Sequence, residues 1–281
     1  MSANATLLSA AHIKRLRVFA GPNGSGKSSI YNIIAERFNV GVYVNADELQ
    51  NTLSSDAGVS LLDFDPSLRI EDFRKFYDAH PLPKVHHVCF PFREQAEERM
   101  KFGATSENAL RLSYAVAVFA DFLRVRLIEK GVDLSFETVF SHPSKLSLMQ
   151  IAKEAGYRVY LYYVCVASSE IAKQRVALRV TQGGHGVPDE KIVERYEKSL
   201  ALLKDAIALS DRAYLFDNTY SGASLKIEIN QASEVLPKEP QLPEWITRSL
   251  PTLVPDLRNV RKGGVRPPDA LGNRAGPPRA T

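Results

Sequence analysis

The sequence predicts a three-layer α/β/α fold around a mostly parallel, five-stranded sheet. Strand patterns and helix patterns alternate along the chain, which favours parallel strands joined by helical crossovers. Residues 158–166 form an almost continuous apolar run, as expected of a strand buried on both faces of a parallel sheet. Residues 21–29, GPNGSGKSS, match G-x-x-x-x-G-K-[ST] between the first strand pattern and the first helix pattern. This motif adds phosphate binding to the predicted fold.

The glycine-rich motif predicts a phosphate-binding loop, and with it a P-loop NTPase fold. Its glycines permit backbone angles that other residues avoid, so that successive N–H groups can turn toward phosphate oxygens at a helix N-terminus. Lys27 is expected to reach the β- and γ-phosphates, and Ser28 to bind Mg²⁺. The candidate nucleotide-binding residues are Gly21, Pro22, Asn23, Gly24, Ser25, Gly26, Lys27, Ser28 and Ser29. The alternative is an ordinary glycine-rich turn, which the complete spacing and the strand–helix context disfavour.

The remaining elements follow from apolar periodicity and from turn residues. Strands are predicted at residues 16–20, 41–44, 133–140, 158–166 and 213–216, with a further short edge strand at 225–229. Helices are predicted at residues 28–38, 107–130, 145–155, 169–181 and 188–209. Because helices separate most of these strands, they are expected to lie parallel in one sheet.

Two segments depart from this alternation. Residues 54–105 mix prolines with aromatic clusters and predict an insertion over the substrate side of the sheet. We expect this insertion to contain helices at 72–77 and 91–102 and a small satellite core of its own aromatic residues. Residues 235–281 are rich in Pro and Gly and basic, which predicts a disordered tail after a P-loop domain at 1–234. Removal of this tail is expected to leave the chemistry intact.

Composition and charge exclude several classes of protein. The 281 residues are 44% hydrophobic, but no run is long enough for a membrane-spanning helix. The two cysteines form neither a disulfide framework nor a metal motif, which predicts reduced thiols and a cytoplasmic location without a membrane. The net charge is +4, of which residues 257–281 contribute +5, so that the remaining chain carries −1. A body so close to neutral disfavours a large nucleic-acid groove.

Asp47 directly follows the second predicted strand. In an open α/β sheet, ligands bind beyond the carboxyl ends of the strands, which places this carboxylate opposite the P-loop. It could accept the proton of an attacking hydroxyl, or hold Mg²⁺ through water. The alternative is that Asp47 only caps the helix that starts near Glu48.

Glu137 and Thr138 lie in the third predicted strand, where a buried carboxylate needs a partner or a ligand. Glu137 could reach Mg²⁺ or a substrate hydroxyl, and Thr138 could bind phosphate or substrate. A pair of strand-end residues satisfied by backbone groups is the alternative, and the sequence does not decide between the two.

Residues 175–195 resemble a helical lid over the nucleotide. Arg175 and Arg179 are four residues apart and share a helix face, and Arg195 lies on the following helix. Guanidinium groups over the triphosphate would neutralise the transferring phosphoryl group. His185 lies in the glycine-rich turn between the helices and is a candidate phosphate contact. Taken singly, each arginine is more often a solvated helix residue, but as a set beside a P-loop they favour the lid.

The chain also lacks the signatures of other P-loop classes. No apolar strand ends in Asp-Glu, and neither an LSGGQ-type transporter signature nor the guanine-reading N-K-x-D sequence is present. The remaining layout, a P-loop with an acid on the acceptor side and an arginine lid, is typical of small kinases.

Together these segments resemble the zeta toxin family of P-loop kinases. The resemblance rests on GPNGSGKSS, NADE, FET, GGHGVPDEKIVERYEKSL and LFDNT; it covers roughly residues 17–219 and is nearest to the chromosomal zeta-like branch. It implies a fold like that of nucleotide and shikimate kinases. Well-studied members phosphorylate the 3′-hydroxyl of UDP-N-acetylglucosamine. The resemblance therefore implies ATP or GTP with Mg²⁺, a small-molecule hydroxyl acceptor and an antitoxin partner.

The resemblance also implies roles for individual residues. Asp47 aligns with the catalytic base of the family. Lys27 and Ser28 align with the family residues that bind the nucleotide and Mg²⁺. Thr138 takes the place of a threonine that contacts the substrate.

The lid matches the family less closely. Arg175 or Arg179 corresponds to the first of two arginines on the γ-phosphate, His185 occupies the second place, and Arg195 is its expected substitute. The insertion at 54–105 departs from the toxins where the sugar nucleotide would bind, so the acceptor stays open.

Two further functions remain open from the sequence alone. The chain could be a nucleotide-binding module that controls a partner without transferring phosphate. It could also be a kinase for a nucleoside or a nucleic-acid end, although its near-neutral body makes nucleic acid an unfavoured partner.

Overall fold

The computed structural model describes residues 12–102, 109–184 and 186–252. The strands are β1 (Arg15–Ala20), β2 (Val42–Val44), β3 (Val59–Ser60), β4 (Phe92–Gln95), β5 (Arg99–Phe102), β6 (Leu134–Thr138), β7 (Arg158–Cys165), β8 (Arg212–Asp217), β9 (Ser224–Asn230) and β10 (Glu234–Pro237). The helices are α1 (Lys27–Ala35), α2 (Ala46–Ser54), α3 (Ile70–Ala79), α4 (Pro81–Val85), α5 (Ala109–Glu129), α6 (Ser144–Glu154), α7 (Ser169–Thr181), α8 (Asp189–Ala201), α9 (Leu203–Ala208) and α10 (Glu244–Ser249), with a 3₁₀ turn at Leu61–Asp63.

Within the described residues, the central sheet has seven strands in the order β10-β9-β8-β7-β1-β6-β2. The five strands from β8 to β2 are parallel, whereas β9 pairs antiparallel with both β8 and β10. The predicted α/β fold with a mostly parallel sheet is confirmed, and its five parallel strands lie where the sequence placed them. The strand predicted at 225–229 is β9, but it does not form the edge because β10 pairs with it.

The two faces of the central sheet carry separate apolar clusters. Along β1, Phe19 faces α1, whereas Val18 and Ala20 face the opposite side, since side chains alternate along a strand. Phe19 stacks on Tyr162 of β7, and α1 packs against the cluster that contains both rings. The opposite face forms one large core with α5, α6, α8 and α9. This packing fixes α1 against the sheet and so positions the loop that joins it to β1.

The insertion differs from its prediction in two respects. The helix predicted at 91–102 is wrong: β4 and β5 form a hairpin there, and β5 also pairs with β3. Met100 and Phe102 are both buried, which is the two-residue period of a strand, and Glu97 and Glu98 take positive φ at the turn. The predicted satellite core is also wrong, because Phe73 and its aromatic neighbours join the main core through α5.

Several helices differ in extent from their predictions. The helix predicted at 72–77 is α3 and is longer at both ends. The helix predicted at 188–209 is interrupted at Leu202, between α8 and α9. The helix after Asn45, α2, is absent from the predicted helices and enters the sequence analysis only as the alternative helix that starts near Glu48.

The disorder predicted from residue 235 is wrong for residues 235–252. Strand β10 pairs with β9 there, and α10 buries Trp245, Ile246 and the following Leu250. Two adjacent apolar residues on a six-residue helix give no period that sequence analysis can detect. Residues 253–281 lie outside the described part, and the division into a domain and a tail beyond that point stays a prediction. Among the described residues, no helix has the length and apolar composition needed to cross a membrane.

Candidate active site

The loop between β1 and α1 has the backbone that its motif predicts. Gly21, Gly24 and Gly26 have φ of 140°, 69° and 91°, which other residues rarely adopt. A Cβ on Gly21 would lie 1.9 Å from the carbonyl oxygen of Val164, and one on Gly24 would lie 2.7 Å from that of Ala172. Strand β7 and helix α7 therefore approach the loop too closely for any side chain there. The loop leads directly into the N-terminus of α1, where the helix dipole favours anions.

Lys27, the first residue of α1, folds its side chain back over the loop. Its Nζ donates hydrogen bonds to the carbonyl oxygens of the first two loop residues, at 3.0 and 2.9 Å. Burial holds the pKa of Lys27 below its usual value. The carboxylates of Glu137 and Asp47 oppose this shift, and the guanidinium of Arg179 adds to it. The ammonium group of Lys27 thus has both negative and positive side chains near it. A bound polyphosphate would add negative charge and so favour the protonated form of Lys27.

Glu137 joins the P-loop to β2 through a chain of hydrogen bonds. It lies on β6 in register with Phe19 of β1, so that its carboxylate reaches the start of α1. Ser28 Oγ donates to Glu137 Oε2 at 3.1 Å, and Tyr43 Oη donates to Oε1 at 2.6 Å. Asn45 Nδ2 donates in turn to Tyr43 Oη at 2.9 Å. Burial and the negative charge of Glu137 raise the pKa of Tyr43, so that its phenol stays protonated and acts as a donor.

Asp47 is the second residue of α2, at the carboxyl end of β2. Asn45 caps this helix, because its Oδ1 accepts the N–H of Asp47 at 2.9 Å, so the suggestion that Asp47 is the cap is wrong. The Asp47 side chain is 72% exposed, and its Oδ2 lies 4.0 Å from Nη1 of Arg179. The carboxylate is therefore not used to build the helix but faces the space between α2 and α7 beside the P-loop, called here the cleft.

Helix α7 carries the two candidate arginines, and the structure separates their contacts. Arg179 reaches Asp47 across the cleft and acts on the pKa of Lys27. Arg175 instead donates to the carbonyl oxygens of Thr219 and Tyr220, both at 3.3 Å. Arg179 is thus the arginine that meets the acidic side of the cleft, and Arg175 ties α7 to the loop after β8.

The other predicted residues lie in different surroundings. Thr138 Oγ1 accepts the N–H of Phe140 at 3.0 Å, which stabilises the turn after β6 where Phe140 has φ of 58°. Arg195 is half-buried on α8, and its charge acts on Lys191 of the same helix. His185 lies outside the described residues.

Two contacts of the site were missed by sequence reasoning. Asn218, directly after β8, donates from Nδ2 to the carbonyl oxygen of Ser25 at 2.8 Å. A Cβ on Gly26 would lie 2.2 Å from this nitrogen, so the third loop glycine is needed for this approach. A polar residue at the carboxyl end of the fifth strand was a usable signal for Asn218. Tyr43 gave none, since in GVYV it reads as an ordinary strand residue.

Part of the chain matches a known protein-family model. Residues 100–218 match the family model described as Zeta toxin. An uncharacterized protein of Haemophilus influenzae is 32% identical over 69 residues, which are 25% of this chain and about half (49%) of that curated relative. The matched family region contains Glu137 and both α7 arginines, whereas the P-loop and Asp47 precede it.

Two solved structures align with most of this chain. The PezAT chromosomal toxin–antitoxin system of Streptococcus pneumoniae aligns with a TM-score of 0.46 and 13% identity over 80% of this chain and 76% of that chain. The complex of AvrRxo1-ORF1 and AvrRxo1-ORF2 aligns with a TM-score of 0.49 and 16% identity over 81% of this chain and 62% of that chain. The match to the Zeta toxin family model covers residues 100–218, which is less than half of this chain.

Proposed function

We propose that this protein is a kinase that transfers the γ-phosphate of ATP or GTP to a hydroxyl group of a small molecule. One observation carries the proposal: the charged groups of Lys27, Asp47 and Arg179 lie close enough to interact beside the P-loop. Arg179 lies 4.0 Å from Asp47, and both charges act on the pKa of Lys27. A phosphate-binding cation, a carboxylate and a second cation around one cleft are the groups that phosphoryl transfer requires.

On the donor side, the loop N–H groups and Lys27 would hold the phosphates of the nucleotide. Lys27 would exchange its two backbone carbonyl partners for phosphate oxygens, which are stronger acceptors because they are charged. Since Glu137 and Tyr43 already fix Ser28 and the start of α1, binding would need little rearrangement there.

Ser28 and Glu137 form a donor set that suits Mg²⁺. Their oxygens are hard ligands, lie 3.1 Å apart, and are next to the phosphate loop. We propose that these two residues hold the metal, directly or through water. When bound, Mg²⁺ would neutralise phosphate charge and orient the nucleotide.

On the acceptor side, Asp47 is proposed as the general base. The acceptor oxygen forms a bond to the γ-phosphorus while the bond from that phosphorus to its bridging oxygen breaks, and the nucleoside diphosphate leaves. The hydroxyl proton passes to the carboxylate of Asp47. Arg179 would turn from its 4.0 Å contact with Asp47 toward the transferring group, where a guanidinium stabilises the developing charge.

The test is to incubate the purified chain with γ-labelled ATP, Mg²⁺ and a cell metabolite extract, and to identify the labelled product by mass spectrometry. UDP-N-acetylglucosamine, nucleosides and nucleic-acid ends serve as defined acceptors in parallel. We expect label on a small molecule, its loss in Asp47→Asn and its retention in Asp205→Asn. Asp205 is a matched control because it is an exposed carboxylate on α9, just before β8 begins at the other end of the strands.

Two results would contradict the proposal. Tight nucleotide binding without transfer to any acceptor would favour a nucleotide-binding module. Label on nucleic-acid ends, with an acceptor affinity that falls steeply with salt, would favour a nucleic-acid kinase.

We also propose that the activity inhibits growth and that an antitoxin protein restrains it, which rests on the zeta toxin family match over residues 100–218. Growth would be measured during expression of the chain alone and together with its neighbouring gene. Unimpaired growth on expression of the active enzyme alone would contradict this role.

A further inference from the structure

Helix α10 is tied to the end of β8 by a buried hydrogen bond. The indole of Trp245 on α10 is 2% exposed, and its Nε1 donates to Asp217 Oδ1 at 2.9 Å. Asp217 ends β8 and is itself buried. A buried carboxylate is costly unless its oxygens are bonded, so this donor stabilises the charge where it lies.

The same carboxylate oxygen fixes the backbone that follows. Thr219 Oγ1 donates to Asp217 Oδ1 at 2.7 Å, so that one oxygen accepts from both α10 and the loop after β8. The segment 217–220, called here the β8 loop, therefore takes its shape partly from α10. Asp217, Thr219 and Tyr220 of the β8 loop also line one groove of about 500 Å³ together with residues 241–244 at the start of α10.

The opposite side of the β8 loop contacts the nucleotide site. Asn218 Nδ2 donates to Ser25 O at 2.8 Å, inside the P-loop. Arg175 of α7 donates to the carbonyl oxygens of Thr219 and Tyr220. Four consecutive residues thus connect α10 to the P-loop and to the arginine-bearing helix.

We propose that Trp245 is a positioning residue for nucleotide binding, acting through Asp217 and Asn218 on the P-loop. The C-terminal segment would then be part of the donor site, in contrast to the expectation that residues after 235 are dispensable. The inference rests on the proposed function only in taking the P-loop as the nucleotide site. It requires no phosphoryl transfer.

The test is a double-mutant cycle on nucleotide affinity. Trp245→Phe removes the indole N–H and keeps an aromatic ring, and Asn218→Ala removes the contact with the P-loop. A non-hydrolysable ATP analogue is titrated by calorimetry without any acceptor. We expect each single variant to weaken binding by about tenfold, and the double variant to be no weaker than Asn218→Ala, because both act along one path. In turnover assays, the nucleotide KM should rise with little change in kcat.

A control on the same helix shows whether any loss of affinity comes from the Trp245 hydrogen bond or from a general loosening of α10. Arg248→Ala removes the exposed contact between α10 and Glu197 of α8, at 3.5 Å, and should leave analogue affinity unchanged. Wild-type affinity in Trp245→Phe, or additive losses in the double variant, would overturn the inference. If Trp245→Phe melts below the assay temperature, the same cycle is measured at a lower temperature at which all four proteins are folded. Intact coupling without transfer to any acceptor would contradict the proposed kinase activity alone.

Discussion

The proposed donor side and the proposed acceptor side of the cleft differ in how firmly their charged groups are held. On the donor side, Lys27 makes two hydrogen bonds of 3.0 Å or less, and Glu137 accepts from two hydroxyl groups. On the acceptor side, Asp47 is 72% exposed, and its ion pair with Arg179 spans 4.0 Å, with the arginine itself 42% exposed.

This difference has a physical consequence. Hydrogen-bonded, buried groups are preorganised and lose little entropy when a ligand binds, whereas an exposed ion pair is weakened by water and salt. We therefore expect the nucleotide to bind without an acceptor. The charges of Asp47 and Arg179 gain their full effect only when an acceptor displaces water from between them.

The largest expected effect tests the acceptor side. Asp47→Asn keeps the size and hydrogen-bonding capacity of the side chain but removes the base. We expect kcat for acceptor phosphorylation to fall by about 10²–10⁴-fold while the affinity for the ATP analogue stays within about twofold. Steady-state kinetics and calorimetry measure the two quantities, with Asp205→Asn as the control. A large loss of analogue affinity would mean that the two sides of the cleft are not separate.

The second prediction concerns the arginine that spans the cleft. Arg179→Met should lower kcat by about 10²–10³-fold, since the charge that stabilises the transferring phosphoryl group is lost. Arg175→Met should instead act mainly on nucleotide KM, because Arg175 bonds to the β8 loop. Measuring kcat and KM for both variants distinguishes the roles, and equal losses of kcat would show that both arginines contact the reacting group.

The third prediction tests the donor side. Glu137→Gln keeps the acceptor for Tyr43 but removes the negative charge next to Ser28. We expect the Mg²⁺ concentration for half-maximal activity to rise by about 10–100-fold. Tyr43→Phe leaves the carboxylate in place and should raise it less. A Mg²⁺ titration that is unchanged in Glu137→Gln would remove this residue from the metal site.

The smallest expected effect is a pH dependence of the affinity for the nucleotide. Only the protonated form of Lys27 attracts phosphate, and burial lowers its pKa from the usual 10.5. Analogue affinity should therefore decline as pH rises through this lowered pKa, earlier than for an exposed lysine, and binding should take up protons in that range. Calorimetry in buffers of different ionisation enthalpy measures the uptake. The Lys27→Ala variant should bind the ATP analogue weakly and without proton uptake. If this variant takes up the same number of protons, the titrating group is not Lys27.

Local patterns predicted the positions of the P-loop residues and of Asp47, whereas the roles of these residues stay predictions. The glycines, Lys27 and Ser28 are adjacent in sequence, so their spacing is enough to place them at one helix N-terminus. Asp47 was placed correctly beyond β2, because the ends of parallel strands share one edge of the sheet. The split between Arg175 and Arg179 could not be predicted, since both lie on one helix face and only the position of the β8 loop distinguishes them.

The sequence by itself determined the α/β fold, the P-loop and the strand ends that form the proposed binding site, because each follows from neighbouring residues and from the periods of helices and strands. Only the tertiary structure decided that Tyr43 and Asn218 support the loop, that the charged hairpin at 92–102 is a pair of strands, and that Trp245 anchors α10 beside the site. These depend on residues that lie far apart in the chain, and a lone tryptophan or asparagine gives no local signal of what it will touch. The fold was a matter of local pattern, whereas the connections within the site were a matter of packing.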